Sequence, residues 1–211
     1  MRLPSILVRG GKVDMQYSFH IYNKVASDGI TMACESLLQA NLQKRAKNGI
    51  SEYAQNTPVI VCVGSDLAIG DSLGPITGSM LKYKTQGLKT FIYGTLSSPV
   101  TAKEIRYIRT FLKETHPACQ VLAIDAAVGV EGDIGLMKLC DSPLFPGAGA
   151  NKKLGSIGDI SIMGIVAEKS VANFGLLNTT RLNLVYSMAE KISDALSALL
   201  WERASRIQSV K

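Results

Sequence analysis

The chain has 211 residues and a mass of 22.6 kDa, is 46% hydrophobic and 19% charged, and sets 23 Lys and Arg against 17 Asp and Glu for a formal net charge of +6. That balance excludes a disordered or collagen-like chain, and the length suits one α/β domain better than two separate ones. No apolar run approaches the ~20 residues of a membrane-spanning helix, and the basic start Met1–Arg9 has too short an apolar stretch for a signal peptide. An intracellular, cytoplasmic protein with no membrane partner is expected.

In chain order, residues 1–30 give only turn signals, at Gly10-Gly11 and Asp28-Gly29. From Thr31 to Lys47, Cys34, Leu37, Leu38 and Leu42 recur at helical spacing, with Lys44, Arg45 and Lys47 in the last turn and Asn48-Gly49 as a stop. Residues 1–50 are therefore read as an N-terminal extension with a helix near 31–47, and 51–211 as the main domain. There, PVIVCVG (58–64) is short and apolar enough for a buried strand. A helix is predicted over 72–86, with Leu73, Ile76, Met80 and Tyr83 on one face, then a strand over 90–96 and a helix over 100–114. CQVLAID (119–125) reads as a third strand, 134–140 and 159–167 as two more. A long helix from about Thr180 to Ser205 carries Leu182, Val185, Ala189, Ile192, Leu196 and Leu199. Alternating strands and helices predict a three-layer α/β/α sandwich. The 134–140 strand follows its predecessor too closely for a helical crossover, so the sheet should be mostly parallel but mixed.

The four cysteines form no CxxC pair and read as reduced thiols packed as small hydrophobes. The basic clusters Lys44-Arg45-Lys47 and Arg203-Arg206-Lys211 lack interleaved aromatics. They read as solvated helix faces, and nucleic acid is not expected as a partner. Trp201 is a candidate contact in a homo-oligomer, although a single aromatic more often packs on its own domain.

In open α/β sheets ligands bind beyond the carboxyl ends of the strands. Three loops are expected there: GSDLAIGDSLGP (64–75), IDAAVG (124–129) and PGAGANKK (146–153). The first lacks both GxxxxGK[ST] and GxGxxG spacing and carries two carboxylates, so it is a poor phosphate cradle. If Ser72 caps the following helix, Pro75 falls in the free first turn and the Asp71 carboxylate is left available. Asp66 reads first as a residue bonding its own loop.

Asp125, ending an apolar run, is either bonded to loop amides or placed at a functional cleft. Two carboxylates in one crevice have their pKa values pushed apart, so one can accept a proton from water while the other donates one. The same pair could instead hold a divalent metal through oxygen ligands. Only His20 and His116 exist, and His116 precedes a strand at its amino end, so neither a zinc site nor a Ser-His-Asp triad is expected. In the third loop, Asn151, Lys152 and Lys153 could hold a substrate carbonyl or carboxylate.

The segments GSDLAIGDSLGP, YGTLSSPV, AIDAAVG, PGAGANKKLGSIGDISIMGIV and NTTRLNLVYSMAE occur here in that order. Over about residues 57–192 the chain resembles the YyaC-type sporulation proteins, relatives of the germination protease that degrades small acid-soluble spore proteins. The wider superfamily so implied includes the hydrogenase-maturation endopeptidases, with a phosphorylase/hydrolase-like α/β/α fold. The resemblance places the catalytic aspartates on Asp71 and Asp125 and a PGSG-type loop on Pro146–Gly149. The metal-recognising histidine of the hydrogenase-processing enzymes has no counterpart. Together these readings give a candidate substrate-binding set of Asp66, Gly147, Gly149, Asn151 and Lys152. They imply an endopeptidase of sporulation or germination that needs no cofactor and acts on a protein or peptide, such as small spore proteins. The other reading is a non-catalytic sporulation protein that binds a partner in the same crevice.

Overall fold

The computed structural model describes residues 5–9, 12–47, 57–147, 155–169 and 180–209. The strands are β1 (Ser5–Arg9), β2 (Lys12–His20), β3 (Val59–Cys62), β4 (Ile92–Tyr93), β5 (Val121–Gly129), β6 (Leu136–Cys140) and β7 (Ile160–Glu168). The helices are α1 (Ala26–Lys47), α2 (Leu73–Lys84), α3 (Ile105–Thr115) and α4 (Leu182–Ser209). One seven-stranded sheet runs in the order β1-β2-β6-β7-β5-β3-β4. The pairs β7-β5, β5-β3 and β3-β4 are parallel, whereas β1-β2, β2-β6 and β6-β7 are antiparallel.

The sheet is thus mixed, as the short step from β5 to β6 requires. Its antiparallel half owes much to the hairpin β1-β2, which the turn signals of residues 1–30 did not reveal as strands. Residues 5–47 add two strands and a helix to the same sheet and core. The boundary expected near residue 50 falls within 48–56, outside the described residues.

Strand alternation builds two cores, one on each face. Ile60, Cys62, Leu122, Ile124, Ile160 and Ile162 turn towards α1, α2 and α4, where Leu37, Leu38, Leu81, Met188 and Ile192 are also buried. Val59, Val61, Val63 and Ala123 turn the other way and meet Ile105, Ile108 and Leu112, one helical stripe of α3. This is a three-layer α/β/α sandwich. Among the described residues no helix is long and apolar enough to cross a membrane. Cys34 and Cys62 are buried free thiols, and burial pushes Cys34 up to about 12.

The basic clusters are not simply solvated. Arg45 donates from one guanidinium nitrogen to both carboxylate oxygens of Asp159 at 2.8 Å and from the other to the Cys119 carbonyl at 3.1 Å. Asp159 also accepts the Val121 N–H at 2.8 Å, so α1, β5 and β7 are tied together at the amino edge of the sheet. Lys44 pairs with Asp141, and Arg203, buried on α4, pairs with Glu35 at 2.9 Å. Two expected stripe residues, Tyr83 and Leu182, point to solvent instead.

The N-terminal turn of α2 presses directly on the end of β3. A Cβ added at Gly74 would stand 1.9 Å from the Val63 carbonyl oxygen. In an ordinary helix Gly→Ala stabilises by up to ~1 kcal/mol. Here Gly74→Ala should instead destabilise by about 1–3 kcal/mol, the usual cost of overpacking, read as a lower urea midpoint.

Candidate active site

Asp71 and Asp125 both lie where β3 stops and β5 continues, near enough for the charge of Asp71 to act on Asp125. The last register pair of β3 with β5 is Cys62 with Ile124, and the Val63 N–H then donates to the Ile124 carbonyl at 2.7 Å. Asp125 is therefore the first residue of β5 beyond this ladder. In strand alternation it follows Val121 and Ala123 on the α3 face. Its Oδ1 accepts the N–H of Ala126 at 2.8 Å.

Asp71 arrives by a closed loop. Gly64 takes φ +139°, and a Cβ there would lie 2.1 Å from the Asp71 carbonyl oxygen. That carbonyl accepts the Ser65 N–H at 3.0 Å, and the Asp71 N–H donates to Ala68 at 2.9 Å within a short 3₁₀ turn, Ile69–Asp71. Ser72 is the N-cap of α2, so Pro75 lies in the free first turn. The Ser72 hydroxyl donates to the Ile69 carbonyl at 2.7 Å, holding the turn rather than capping the helix. The Asp71 carboxylate is thus not used to cap α2.

Both residues are half-buried. Burial pushes the Asp71 carboxyl up to about 6, with a backbone hydrogen bond from Ser65 pulling the other way. Asp125 is held well above the usual carboxylate range, first by burial and then by the negative charge of Asp71, against the bond from Ala126. Both shifts run in the direction that lets two neighbouring carboxyls divide a single proton between them.

Residues 31–195 match the family model described as a protein of unknown function, DUF1256. The chain belongs to the DUF1256 family. It is 34% identical over 189 residues to the uncharacterised protein YyaC of Bacillus subtilis (strain 168), covering 90% of this chain and 88% of that one. Among solved structures, the [NiFe] hydrogenase maturation protease HycI from Thermococcus kodakarensis KOD1 is similar with a TM-score of 0.44 and 17% identity. The match covers 69% of this chain and 93% of that chain.

Of the other expected site residues of this DUF1256 protein, Asp66 and Gly147 are among the described residues. Asp66 is exposed on the first loop, and the loop-bonding role expected of it falls to Ser65, whose hydroxyl accepts the Leu67 N–H at 3.2 Å. That residue was missed; a Ser two positions before an amide in a turn was the available signal. The third loop does not leave from the carboxyl edge. β6 is antiparallel to β7, with Cys140 opposite Ser161, so the chain after β6 emerges at the amino edge.

Leu144 pairs with Ile157 at the base of this loop, and both pack with Ala123 on the face that carries Asp125. Gly147, with φ +72°, lies just beyond that base. Gly149, Asn151 and Lys152 lie outside the described residues.

His116 bonds the Tyr93 hydroxyl at 2.7 Å, and His20 contacts the Ile134 carbonyl at 3.2 Å. Neither ring is in contact with the aspartates through these bonds. Among the described residues no three His, Cys, Asp or Glu side chains gather as a metal-binding group. A divalent ion on Asp71 and Asp125 would draw most of its oxygen ligands from water. Trp201 donates to the Lys84 carbonyl at 3.1 Å, tying α4 to the end of α2 while its ring stays half exposed.

The raised carboxyl predicts a pH-dependent stability. Asp71 has an ordinary value of 3.8 and about 6 in the fold, so ionising it costs the folded state increasingly as pH rises through that interval. Asp71→Asn should be more stable than the parent by about 1–2 kcal/mol above about pH 7, after allowing for solvent screening, and equal to it near pH 4. Urea midpoints at the two pH values read the difference.

Proposed function

We propose that this protein is an endopeptidase that hydrolyses peptide bonds of a protein substrate with Asp71 as general base and Asp125 as general acid. The observation that carries this reading is the pair itself: two half-buried carboxyls at the carboxyl edge of adjacent parallel strands, both raised by burial and Asp125 raised further by the charge of Asp71. The setting we propose is sporulation or germination, in the cytoplasm of the sporulating cell or spore. It rests on the resemblance of the quoted segments to the YyaC-type proteins, and small spore proteins are the substrates to try first.

The chemistry balances without a nucleophilic side chain or a cofactor. Asp71 takes a proton from water as the water oxygen adds to the peptide carbonyl carbon, and Asp125 lends its proton to the carbonyl oxygen. The C–N bond then breaks as Asp71 passes its proton to the leaving amine and Asp125 recovers its own. Partial burial keeps both transfers in a poorly solvated crevice, where each charge is felt more strongly.

Incubation of the pure protein with spore small proteins, followed by intact-mass analysis, tests the activity. Defined fragments are expected; unchanged masses with measurable binding would make the chain a partner-binding module instead. Asp71→Asn and Asp125→Asn should each lower turnover by about 10³-fold or more, and the double variant should be little worse, because the pair acts as a unit. Asp66→Asn should change turnover far less. An inactive Asp66 variant beside an active Asp71 variant would reassign the base.

The pH profile of turnover should be bell-shaped. Its acid limb should lie near about 6, where Asp71 gains a proton, and its alkaline limb should appear where Asp125 loses one. Turnover should also survive chelator treatment, since the donor set is two carboxylates. Loss restored by one divalent ion would transfer the chemistry to a metal.

A further inference from the structure

The surface between α2 and β4 is not used by the proposed chemistry. β4 is the terminal strand of the sheet. The Ile60 N–H donates to the Phe91 carbonyl at 2.9 Å, and Tyr93 stands in register with Val61. By the alternation of a strand, the N–H and C=O of Ile92 therefore turn outward, and among the described residues no strand lies beyond them.

A groove of ≈ 630 Å³ runs between this edge and α2. At Ser79 and Tyr83 it meets a second hollow of ≈ 430 Å³, walled by Ile76, Met80, Leu96 and Tyr186. The Ile76 N–H bonds the Ser72 carbonyl at 3.0 Å, so this hollow begins about one helical turn from the loop that carries Asp71. Lys82 lines the larger groove, and neither lining contains an Asp or Glu. Lys89 stands exposed between the lining residues Leu88 and Thr90. The chain as a whole is +6.

We propose that an extended, acidic segment of the protein substrate binds in this groove as a further strand on β4, leading the chain along α2 towards Asp71 and Asp125. Backbone pairing with Ile92 supplies affinity without sequence demand. The apolar hollow takes a large side chain, and Lys82 and the nearby Lys89, with no carboxylate in either lining, select acidic over basic segments. That the occupant is a substrate rests on the peptidase reading; the groove and its charge do not.

The test uses the full chain carrying Asp125→Asn, so that nothing is cut, and two fluorescein-labelled decapeptides, one alternating Glu with Val and one alternating Lys with Val. Fluorescence anisotropy should show saturable binding of the acidic peptide, at least about tenfold tighter than the basic one and weakened by added salt. Lys82→Glu should weaken it about tenfold. Ile92→Pro, which removes an outward N–H at a strand edge where proline is tolerated and also trims a side chain packed against the core, should weaken it at least as much. Circular dichroism checks that each variant is folded. Should Ile92→Pro fail to fold, the lysine variant and the peptide pair still decide the matter.

Equal binding of the two peptides, no saturation, or an unchanged affinity in folded Lys82→Glu would overturn the proposal. So would a concentration-dependent dimer abolished by Ile92→Pro, since the occupant would then be a second copy. Spore proteins cut by the parent and by Lys82→Glu at the same rate would sink the groove while leaving the peptidase reading in place. Selective binding of the acidic peptide by a protein that cuts nothing would do the reverse.

Discussion

The arrangement depends on one close backbone contact, the N-terminal turn of α2 against the end of β3. Gly74 lies on the Val63 carbonyl and Gly64 on the Asp71 carbonyl, each at a separation that leaves no room for a Cβ. Because the loop between them is closed by the Ser65 and Asp71 backbone bonds, Asp71 is held at the strand end. Only there can its charge reach Asp125, which the longer β5 carries past the end of β3.

The two ends of the sheet treat charge in opposite ways. At the amino edge, Asp159 is satisfied by Arg45 and by the Val121 amide, and Lys44 meets Asp141. Those carboxylates serve the fold, tying helix to strands. At the carboxyl edge, Asp71 and Asp125 are partly withdrawn from water, and both are pushed upward. Such an arrangement costs stability, and proteins keep costs of this kind mainly at sites of function. The contrast between satisfied and strained carboxylates gives the functional reading its weight.

Much of this was legible in the sequence, for identifiable reasons. The runs PVIVCVG and CQVLAID had no plausible place except buried strands, and Pro75 fixed Ser72 rather than Asp71 as the cap of α2. Asp125 drew notice because it ends an apolar run, and Asp71 because a cap at Ser72 leaves its carboxylate available. Other features depended on contacts distant in the chain. Lys12–His20 became a strand through pairing with β6, more than a hundred residues later, and Arg45 found Asp159 by the same kind of long-range closure. The third loop was placed on the wrong edge because the direction of β6 is set by its neighbours, not by its composition. Tyr83 and Leu182 fitted a helical stripe by spacing, yet they lie at the margin of the helix packing and face solvent, Tyr83 along the β4 groove.

The proposed peptidase chemistry requires Asp71 and Asp125 to share one proton. The most direct measurement is a carboxyl-carbon NMR titration of protein labelled with ¹³C at aspartate, with the two signals assigned from the single Asn variants. Asp71 should titrate at about 6, Asp125 well above the ordinary aspartate value of 3.8, and Asp71→Asn should lower the transition of Asp125 by removing the neighbouring charge. Two independent titrations near the ordinary aspartate value of 3.8, each indifferent to mutation of the other residue, would contradict it.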